Sequence, residues 1–303
     1  MSSDLSFPIY VIGDTPLAYF LVAKLSIEGE DVRLLSENKS LHTLDSFTLK
    51  DETLSQKRTV RIKLQTIMHD NAQMILLCMS PEKIKSGLIY FSKAKAEKCP
   101  VLSFCQTLKT DLLTKVIGQP IIPAYFDGWL KTNTDNSLIY YGTQKGLTVG
   151  ISSHHSHYDI IQETLDKTDI PTVFSANQKQ NFWNYFIPEA TCSFFSLQNG
   201  NHLRDIAKKT AFRQNLNTIL DELLTIVPEN TEINKEQIIS SIYSTPSNYK
   251  YPISEGTILH QKAVLSYLSD VIRSQSAYKV SNLPVINALI TQHQMLQSSS
   301  VEE

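Results

Sequence analysis

The alternation of apolar and polar positions near the start of the chain predicts a strand, a helix and a second strand. Residues 7–12 form an apolar run that ends at Gly13. Residues 15–28 then place their apolar side chains on one helical face, and residues 31–36 form a second apolar run. A strand, a tight turn, a helix and another strand within about 30 residues are typical of the opening of a dinucleotide-binding unit.

The pattern changes from mixed to purely helical near residue 176. Before the change, the uninterrupted apolar run at 74–79 is typical of a strand that is buried on both faces of a parallel sheet. After the change, helical periodicity predicts helices at residues 178–196, 201–227, 234–244, 254–275 and 284–296. We therefore predict an α/β Rossmann-like domain followed by an all-α domain, with boundaries at 1–176, 177–296 and, for a disordered tail, 297–303.

The composition is typical of a globular protein large enough for two domains. The chain has 303 residues, of which 42% are hydrophobic and 19% charged, and a net charge of −2. Basic residues are dispersed, which argues against nucleic-acid binding. No apolar run approaches the roughly 20 residues of a membrane span, and the N-terminus lacks the features of a signal peptide. Four cysteines without C-x-x-C spacing suit a reducing compartment, so we expect a cytoplasmic protein.

The turn after the first strand matches only part of the dinucleotide fingerprint G-x-G-x-x-G/A. Gly13 and Ala18 match it, whereas Thr15 stands at the second glycine and adds a branched Cβ where the backbone approaches the pyrophosphate. Pro16 removes an N–H donor, and Asp14 adds a charge whose repulsion of a phosphate at 4 Å is about 1–4 kcal/mol. The same residues also fit a plain strand–helix turn capped by Asp14 or Thr15.

An acidic residue follows the second strand at a position that affects the choice of cofactor. Glu37 lies 24 residues after Gly13. A carboxylate there accepts hydrogen bonds from the ribose hydroxyls and repels a 2′-phosphate, so Glu37 favours NAD(H) over NADP(H). Two alternatives stay open, because Glu37 also fits a solvated loop and because Ser36 and Lys39 are able to hold a phosphate.

The two-domain layout and several short segments resemble the ketopantoate reductase (2-dehydropantoate 2-reductase) family, within the 6-phosphogluconate-dehydrogenase-like superfamily. Besides the opening strand–helix–strand, the similar segments are residues 75–81, 102–108, 181–186 and 283–287. The resemblance implies NAD(P)H-dependent reduction of a 2-oxo acid bound in an interdomain cleft. In that family the substrate is 2-dehydropantoate, the reaction serves pantothenate biosynthesis, and members are monomers or homodimers.

Several positions that carry function in the similar family hold other residues in this chain. The cofactor-binding lysine at the end of a strand corresponds to Ser80, and the asparagine of Gln-Asn-Gly corresponds to Gln106. The lysine that protonates the ketone oxygen corresponds to Tyr185. Asparagines one and two turns later correspond to Glu189 and Ser193. Candidate cofactor-binding residues are therefore Gly13, Asp14, Thr15, Pro16, Ser36, Glu37, Ser80 and Gln106.

Two further segments resemble the substrate-binding part of the family. Its Ser-Ser-Met resembles Ser240-Ser241-Ile242. Its Thr-Glu-Ile-Asp corresponds either to Ser254-Glu255, with a small insertion, or to Pro252-Ile253, in which case the substrate-binding carboxylate is gone. The candidate catalytic residues are therefore Tyr185, Ser241 and Glu255.

The identity of Tyr185 separates two hypotheses about function. A phenol is able to protonate an alkoxide, but its unperturbed pKa near 10 requires help from a nearby cation. The alternative for Tyr185 is aromatic packing beside Trp183, and Glu189 four residues on would place a carboxylate beside the phenol. The first hypothesis is a reductase of the ketopantoate type; the second is a catalytically inactive paralogue that keeps the scaffold as a binding or interaction module.

Three nearby histidines do not form a metal motif. His154, His155 and His157 follow a predicted strand, but no carboxylate or cysteine lies at ligand spacing from them. We therefore expect neither a metal site nor a metal-dependent reaction.

Overall fold

The computed structural model describes residues 7–36, 45–80, 83–91, 96, 98–105, 110–133, 135, 137–199, 209–247, 249–255, 258–275 and 282–299. The chain divides into two compact units, Met1–Gln178 and Lys179–Glu303. Within the described residues, all strands lie in the first unit and the second consists of helices.

The first unit alternates strands and helices, which confirms the predicted α/β Rossmann-like character of this part of the chain. Its elements are β1 (Ile9–Ile12), α1 (Pro16–Ile27), β2 (Val32–Leu35), β3 (Ser46–Asp51), β4 (Gln56–Arg61), β5 (Leu64–Gln65), β6 (Met74–Leu77), α2 (Ile84–Gly87), a 3-10 turn (Leu88–Tyr90), β7 (Val101–Ser103), α3 (Thr110–Ile117), β8 (Ile122–Thr132), β9 (Ser137–Val149), α4 (Tyr158–Asp166) and β10 (Thr172–Phe174).

The strands form one ten-stranded mixed sheet. Its order is β4-β3-β9-β8-β7-β6-β1-β2-β5, and β10 pairs with β9. Strand β1 runs parallel to both β2 and β6, with Ile9 opposite Val32 on one side and Met74 on the other. The pairs β3–β4 and β8–β9 are antiparallel and extend this parallel core. The carboxyl ends of β1, β2 and β6 therefore meet at one edge, where α1 begins.

Helix α1 packs against the sheet through an aromatic contact. Phe20 is fully buried, and its ring lies 5.7 Å from that of Phe126 and 4.6 Å from that of Tyr140. Lys24, one turn further along, pairs with the buried Asp51 at 3.3 Å. Asp51 also accepts hydrogen bonds from backbone N–H groups of the β3–β4 turn. Apolar packing and one largely buried ion pair therefore fix α1 on the sheet.

The second unit is all-α, as predicted. Its helices are α5 (Gln178–Asn199), α6 (Thr210–Leu224), α7 (Lys235–Ser244), α8 (Pro252–Glu255), α9 (Ile258–Arg273) and α10 (Pro284–Ser299). Helix α10 extends to Ser299, whereas the sequence predicts that a disordered tail begins at Gln297. In the described part of the chain, no helix combines the length and the apolar character that crossing a membrane requires.

A buried carboxylate holds the start of α10. Glu222 on α6 is 7% exposed, and its two carboxylate oxygens accept hydrogen bonds from the backbone N–H groups of Val285 and Ile286, each at 2.9 Å. The first N–H groups of a helix have no partner within the helix, and a negative charge is favourable beside them. Glu222 therefore anchors the segment around Pro284.

Candidate functional site

A glycine is required at residue 13 because the end of β1 comes close to the end of β6 there. Its φ is +141°, and a Cβ on it would lie 2.1 Å from the carbonyl oxygen of Cys78. The Cys78 N–H donates to the carbonyl of Ile12 at 2.8 Å, which holds the end of β6 against the end of β1. Both the backbone angle and the lack of space exclude a side chain here, so packing within the sheet is sufficient to require this glycine.

Thr15 caps α1 and ties the turn to β6. Its Oγ1 accepts a hydrogen bond from the N–H of Ala18 at 3.2 Å and donates one to the carbonyl oxygen of Cys78 at 2.9 Å. Pro16 occupies the start of the helix, where it needs no N–H partner. Of the two caps that the sequence left open, Asp14 and Thr15, the structure has Thr15. The residue that replaces the second glycine of the fingerprint therefore has a structural role of its own.

Lys83 lies beside the turn and forms an ion pair with Asp14. The Asp14 side chain is 12% exposed and the Lys83 side chain is 43% exposed. Lys83 is the N-cap residue of α2, and its N–H donates to the carbonyl of Ser80 at 2.9 Å. The family motif places the cofactor-binding lysine at Ser80, so the sequence did not indicate that Lys83, three residues later, lies beside the turn. The sequence feature that could have indicated Lys83 is its position shortly after the end of the buried strand β6.

The other candidate cofactor residues lie at neighbouring strand ends or outside the described residues. Ser36 follows β2 and is buried, whereas Ser80 follows β6 and is partly buried. Glu37, Lys39 and Gln106 lie outside the described residues, so the preference for NAD(H) based on Glu37 stays a prediction.

The chemistry of this edge fits a dinucleotide. The turn formed by Gly13, Asp14 and Thr15 stands at the carboxyl end of β1, and Lys83 brings a cation to it. A cation beside such a turn suits the pyrophosphate, and the Ser80 hydroxyl at the end of the adjacent strand suits a ribose or phosphate oxygen. The negative charge of Asp14 opposes a phosphate, but its ion pair with Lys83 partly neutralises it.

Two thiols near this edge are chemically inert. Cys78 and Cys105 are buried close to the ends of β6 and β7. Burial raises the pKa of the Cys78 thiol well above its ordinary value and that of Cys105 to about 11. Because the thiolate is the reactive form, neither side chain is suited to act as a nucleophile at neutral pH.

In the second unit, Tyr185, Glu189 and Ser193 follow one another at intervals of four residues along α5. Tyr185 and Glu189 are partly buried, and Ser193 is fully buried. The Ser193 hydroxyl has no hydrogen-bond partner within the described residues. Pro188 lies inside the helix between the first two and leaves the carbonyl of Asn184 without its usual N–H donor.

Glu189 has a partner that the sequence did not reveal. The Tyr251 hydroxyl donates a hydrogen bond to the Glu189 carboxylate. Burial of the hydroxyl and the negative charge of Glu189 hold the pKa of Tyr251 well above its usual value, so the phenol stays a donor at neutral pH. The spacing along α5 predicts Tyr185 as the phenol beside this carboxylate, whereas Tyr251 comes from a distant part of the chain.

The candidate catalytic residues lie on three separate helices. Tyr185 lies on α5, Ser241 is partly buried on α7, and Glu255 is the last residue of α8. The Glu255 side chain lies outside the described set. Next to Tyr185, Trp183 is 2% exposed and packs against the rings of Phe182 and Phe186 at 5.4 and 5.6 Å. Aromatic rings on both sides of Tyr185 in the sequence therefore pack together on α5.

The three histidines lie in the turn before α4. The Nδ1 atom of His155 accepts a hydrogen bond from the N–H of His157 at 3.2 Å. Burial, followed by the proximity of His155, lowers the pKa of His157 below its ordinary value. Over the described ranges, no three His, Cys, Asp or Glu side chains are grouped so that they could hold a metal ion.

Comparison with known proteins identifies the fold. No protein-family model matches the sequence, and no curated protein matches it. Several solved structures are similar over nearly the full chain. A ketopantoate reductase from Ralstonia eutropha JMP134 has a TM-score of 0.75 at 14% identity and covers 96% of this chain and 99% of its own.

Two further structures are similar to the same extent. The 2-dehydropantoate 2-reductase from Geobacter metallireducens GS-15 has a TM-score of 0.77 at 12% identity, covering 95% of this chain and 99% of its own. A D-mandelate dehydrogenase in complex with NADH and anilino(oxo)acetate has a TM-score of 0.76 at 12% identity, with 94% and 97% covered. The resemblance read from the sequence is thereby confirmed at the level of structure, and the chain has the fold of the ketopantoate reductases.

Proposed function

We propose that the protein is an NAD(P)H-dependent oxidoreductase that reduces a 2-oxo acid, with 2-dehydropantoate as the first substrate to test. The observation that carries the proposal is the Gly13–Thr15 turn at the carboxyl end of β1, with Lys83 beside it. Parallel sheets of this type bind dinucleotides at this edge. The similar D-mandelate dehydrogenase, whose structure contains NADH, supports the same cofactor class.

In this proposal, some residues of the chain bind the cofactor and the substrate, and one donates a proton. A bound nicotinamide would supply the hydride. Lys83 and the N–H groups of the turn would hold the pyrophosphate, and Glu37 would select NAD(H). Tyr185 would donate the proton to the substrate oxygen, since it stands where the similar family has its proton-donating lysine. Ser241 and Glu255 would bind the substrate.

A second function is favoured by a specific observation in the helical unit. Glu189 stands at a position where the similar family has asparagine, and its carboxylate is engaged by Tyr251. A carboxylate there disfavours an anionic substrate, and a phenol at residue 185 has an unperturbed pKa far above neutral. The alternative is therefore a catalytically inactive paralogue that keeps the scaffold as a binding module.

Cofactor binding and turnover are measured separately to distinguish the two functions. Calorimetric titration with NADH and with NADPH tests cofactor binding, and tighter binding of NADPH would contradict the role of Glu37. Oxidation of NAD(P)H is then followed with a panel of 2-oxo acids that includes 2-dehydropantoate. A reductase consumes at least one of them, whereas an inactive paralogue consumes none at any enzyme concentration.

Tyr185→Phe tests the proposed proton donor. Loss of general-acid catalysis typically lowers kcat by about 10²–10⁴-fold, and cofactor affinity should not change. Tyr243→Phe is the matched control, because the Tyr243 hydroxyl has no hydrogen-bond partner in the described structure and lies on a different helix. Equal kcat in wild type and Tyr185→Phe would remove Tyr185 from the mechanism.

A further inference from the structure

The ion pair between Asp14 and Lys83 lies within the proposed cofactor site. Asp14 stands between the glycine of the turn and the helix cap Thr15, and Lys83 reaches it from the segment after the neighbouring strand. Nearly half of the Lys83 side chain is exposed. The Asp14 side chain is only 12% exposed, so Lys83 also compensates the charge of a largely buried carboxylate.

Besides its backbone N–H groups, the turn itself has little left to offer a phosphate. The Thr15 hydroxyl already donates its proton to the carbonyl of Cys78, and Pro16 has no N–H. Among the side chains at this turn that the structure describes, Lys83 is therefore the donor that suits an anion. Its ammonium group is held by Asp14 instead.

We propose that Asp14 competes with the dinucleotide pyrophosphate for Lys83, so that the ion pair lowers the affinity of the protein for the cofactor. The proposal rests on the proposed function, since it assumes that a dinucleotide binds at this edge. An incoming pyrophosphate takes the place of the Asp14 carboxylate as the partner of Lys83. Binding therefore has to break the ion pair and bring a phosphate close to the released carboxylate, and both requirements weaken affinity.

Calorimetric titration of the full-length protein with NADH and NADPH tests this competition. Asp14→Asn keeps the size of the side chain and removes its charge. We expect roughly tenfold tighter dinucleotide binding, because Lys83 no longer has to leave a carboxylate and because one like charge near the phosphate is lost. Lys83→Met should bind more weakly than wild type. In the Lys83→Met background, the gain from Asp14→Asn should fall to about threefold or less, because only direct repulsion remains.

The matched control is Asp221→Asn. Asp221 pairs with Lys235 on the surface of the helical unit, so this substitution likewise breaks a carboxylate–lysine ion pair and removes one negative charge. It should leave dinucleotide affinity unchanged. Asp14→Ala serves as a second variant, and thermal unfolding of every variant without cofactor establishes that the proteins compared are folded.

The possible outcomes separate this proposal from the proposed function. If wild type binds a dinucleotide and neither Asp14 variant binds it more tightly, the competition is wrong and the proposed function stands. An Asp14→Asn gain that is equally large with and without Lys83 also overturns the competition. If no variant binds either dinucleotide, both proposals are wrong. If the affinities follow the expected pattern but no 2-oxo acid is reduced, the competition stands and the proposed activity is wrong.

Discussion

The Tyr251 hydroxyl donates a hydrogen bond to the Glu189 carboxylate across 62 residues of sequence. Glu189 lies one residue after Pro188, at a point where α5 lacks one of its backbone hydrogen bonds. Tyr251 lies directly before α8. The contact therefore links a weakened part of α5 to the segment that leads into α8, which carries the candidate substrate residue Glu255.

Tyr251→Phe should destabilise the protein. Removing the hydroxyl leaves a partly buried carboxylate without one of its donors, and hydrogen bonds to charged groups contribute about 1.5–3 kcal/mol. Chemical denaturation measures the loss. Tyr243→Phe is the control, since its hydroxyl has no partner in the described structure and its ring, over which Arg213 lies, is retained. Equal stability of the two variants would mean that the Tyr251–Glu189 bond contributes nothing.

Gly13→Ala should destabilise the protein more than Gly29→Ala. Both glycines have positive φ, but a Cβ on Gly13 would overlap the carbonyl of Cys78, whereas nothing lies within 4 Å of a Cβ on Gly29. Backbone strain alone costs about 1–2 kcal/mol, and we expect at least about 3 kcal/mol at Gly13, where strand packing must also shift. Urea denaturation of both variants measures the difference. Equal losses would contradict the packing argument.

The sequence predicted the elements of both units because those elements depend on local periodicity. The short apolar run that contains Met74–Leu77 is typical of a strand buried on both faces, and the long stretches with helical periodicity after residue 176 are typical of helices. The antiparallel pairing of β8 with β9 was not predicted, because strand pairing depends on contacts between distant segments.

The candidate site could be predicted only in part for the same reason. Gly13 and Thr15 were identified from their spacing, but the packing of Gly13 against Cys78 and the double role of the Thr15 hydroxyl depend on a strand 63 residues away. The Asp14–Lys83 pair joins residues 69 apart. The family motif, aligned one position at a time, places the strand-end lysine at Ser80 and not at Lys83. Long-range partners therefore escaped prediction even where the residues themselves were identified.

Stability should fall at alkaline pH in a way that depends on Tyr140. Burial, followed by the charge of Asp51, raises the pKa of Tyr140 to about 12 from an ordinary value of 10. Because the folded-state pKa is the higher one, the stabilisation is complete below pH 10 and is lost as the pH rises to 12 and above. Between these limits, wild type should lose about 2 kcal/mol more than Tyr140→Phe. Urea denaturation of both proteins at pH 9, 10, 11 and 12 measures this difference in stability. Equal losses of stability in wild type and Tyr140→Phe over this range would contradict the prediction.

Glu222→Ala should destabilise the protein by about 2 kcal/mol, because the N–H groups of Val285 and Ile286 lose a buried, charged acceptor at the start of α10. Glu222→Gln keeps one acceptor oxygen without the charge, so its loss should be intermediate. Urea denaturation with an unchanged m-value measures both, because the fold itself is kept. Glu229→Ala is the control for removing an exposed glutamate and should change stability by less than about 0.5 kcal/mol. A loss at Glu222 no larger than at Glu229 would show that the carboxylate does not anchor α10.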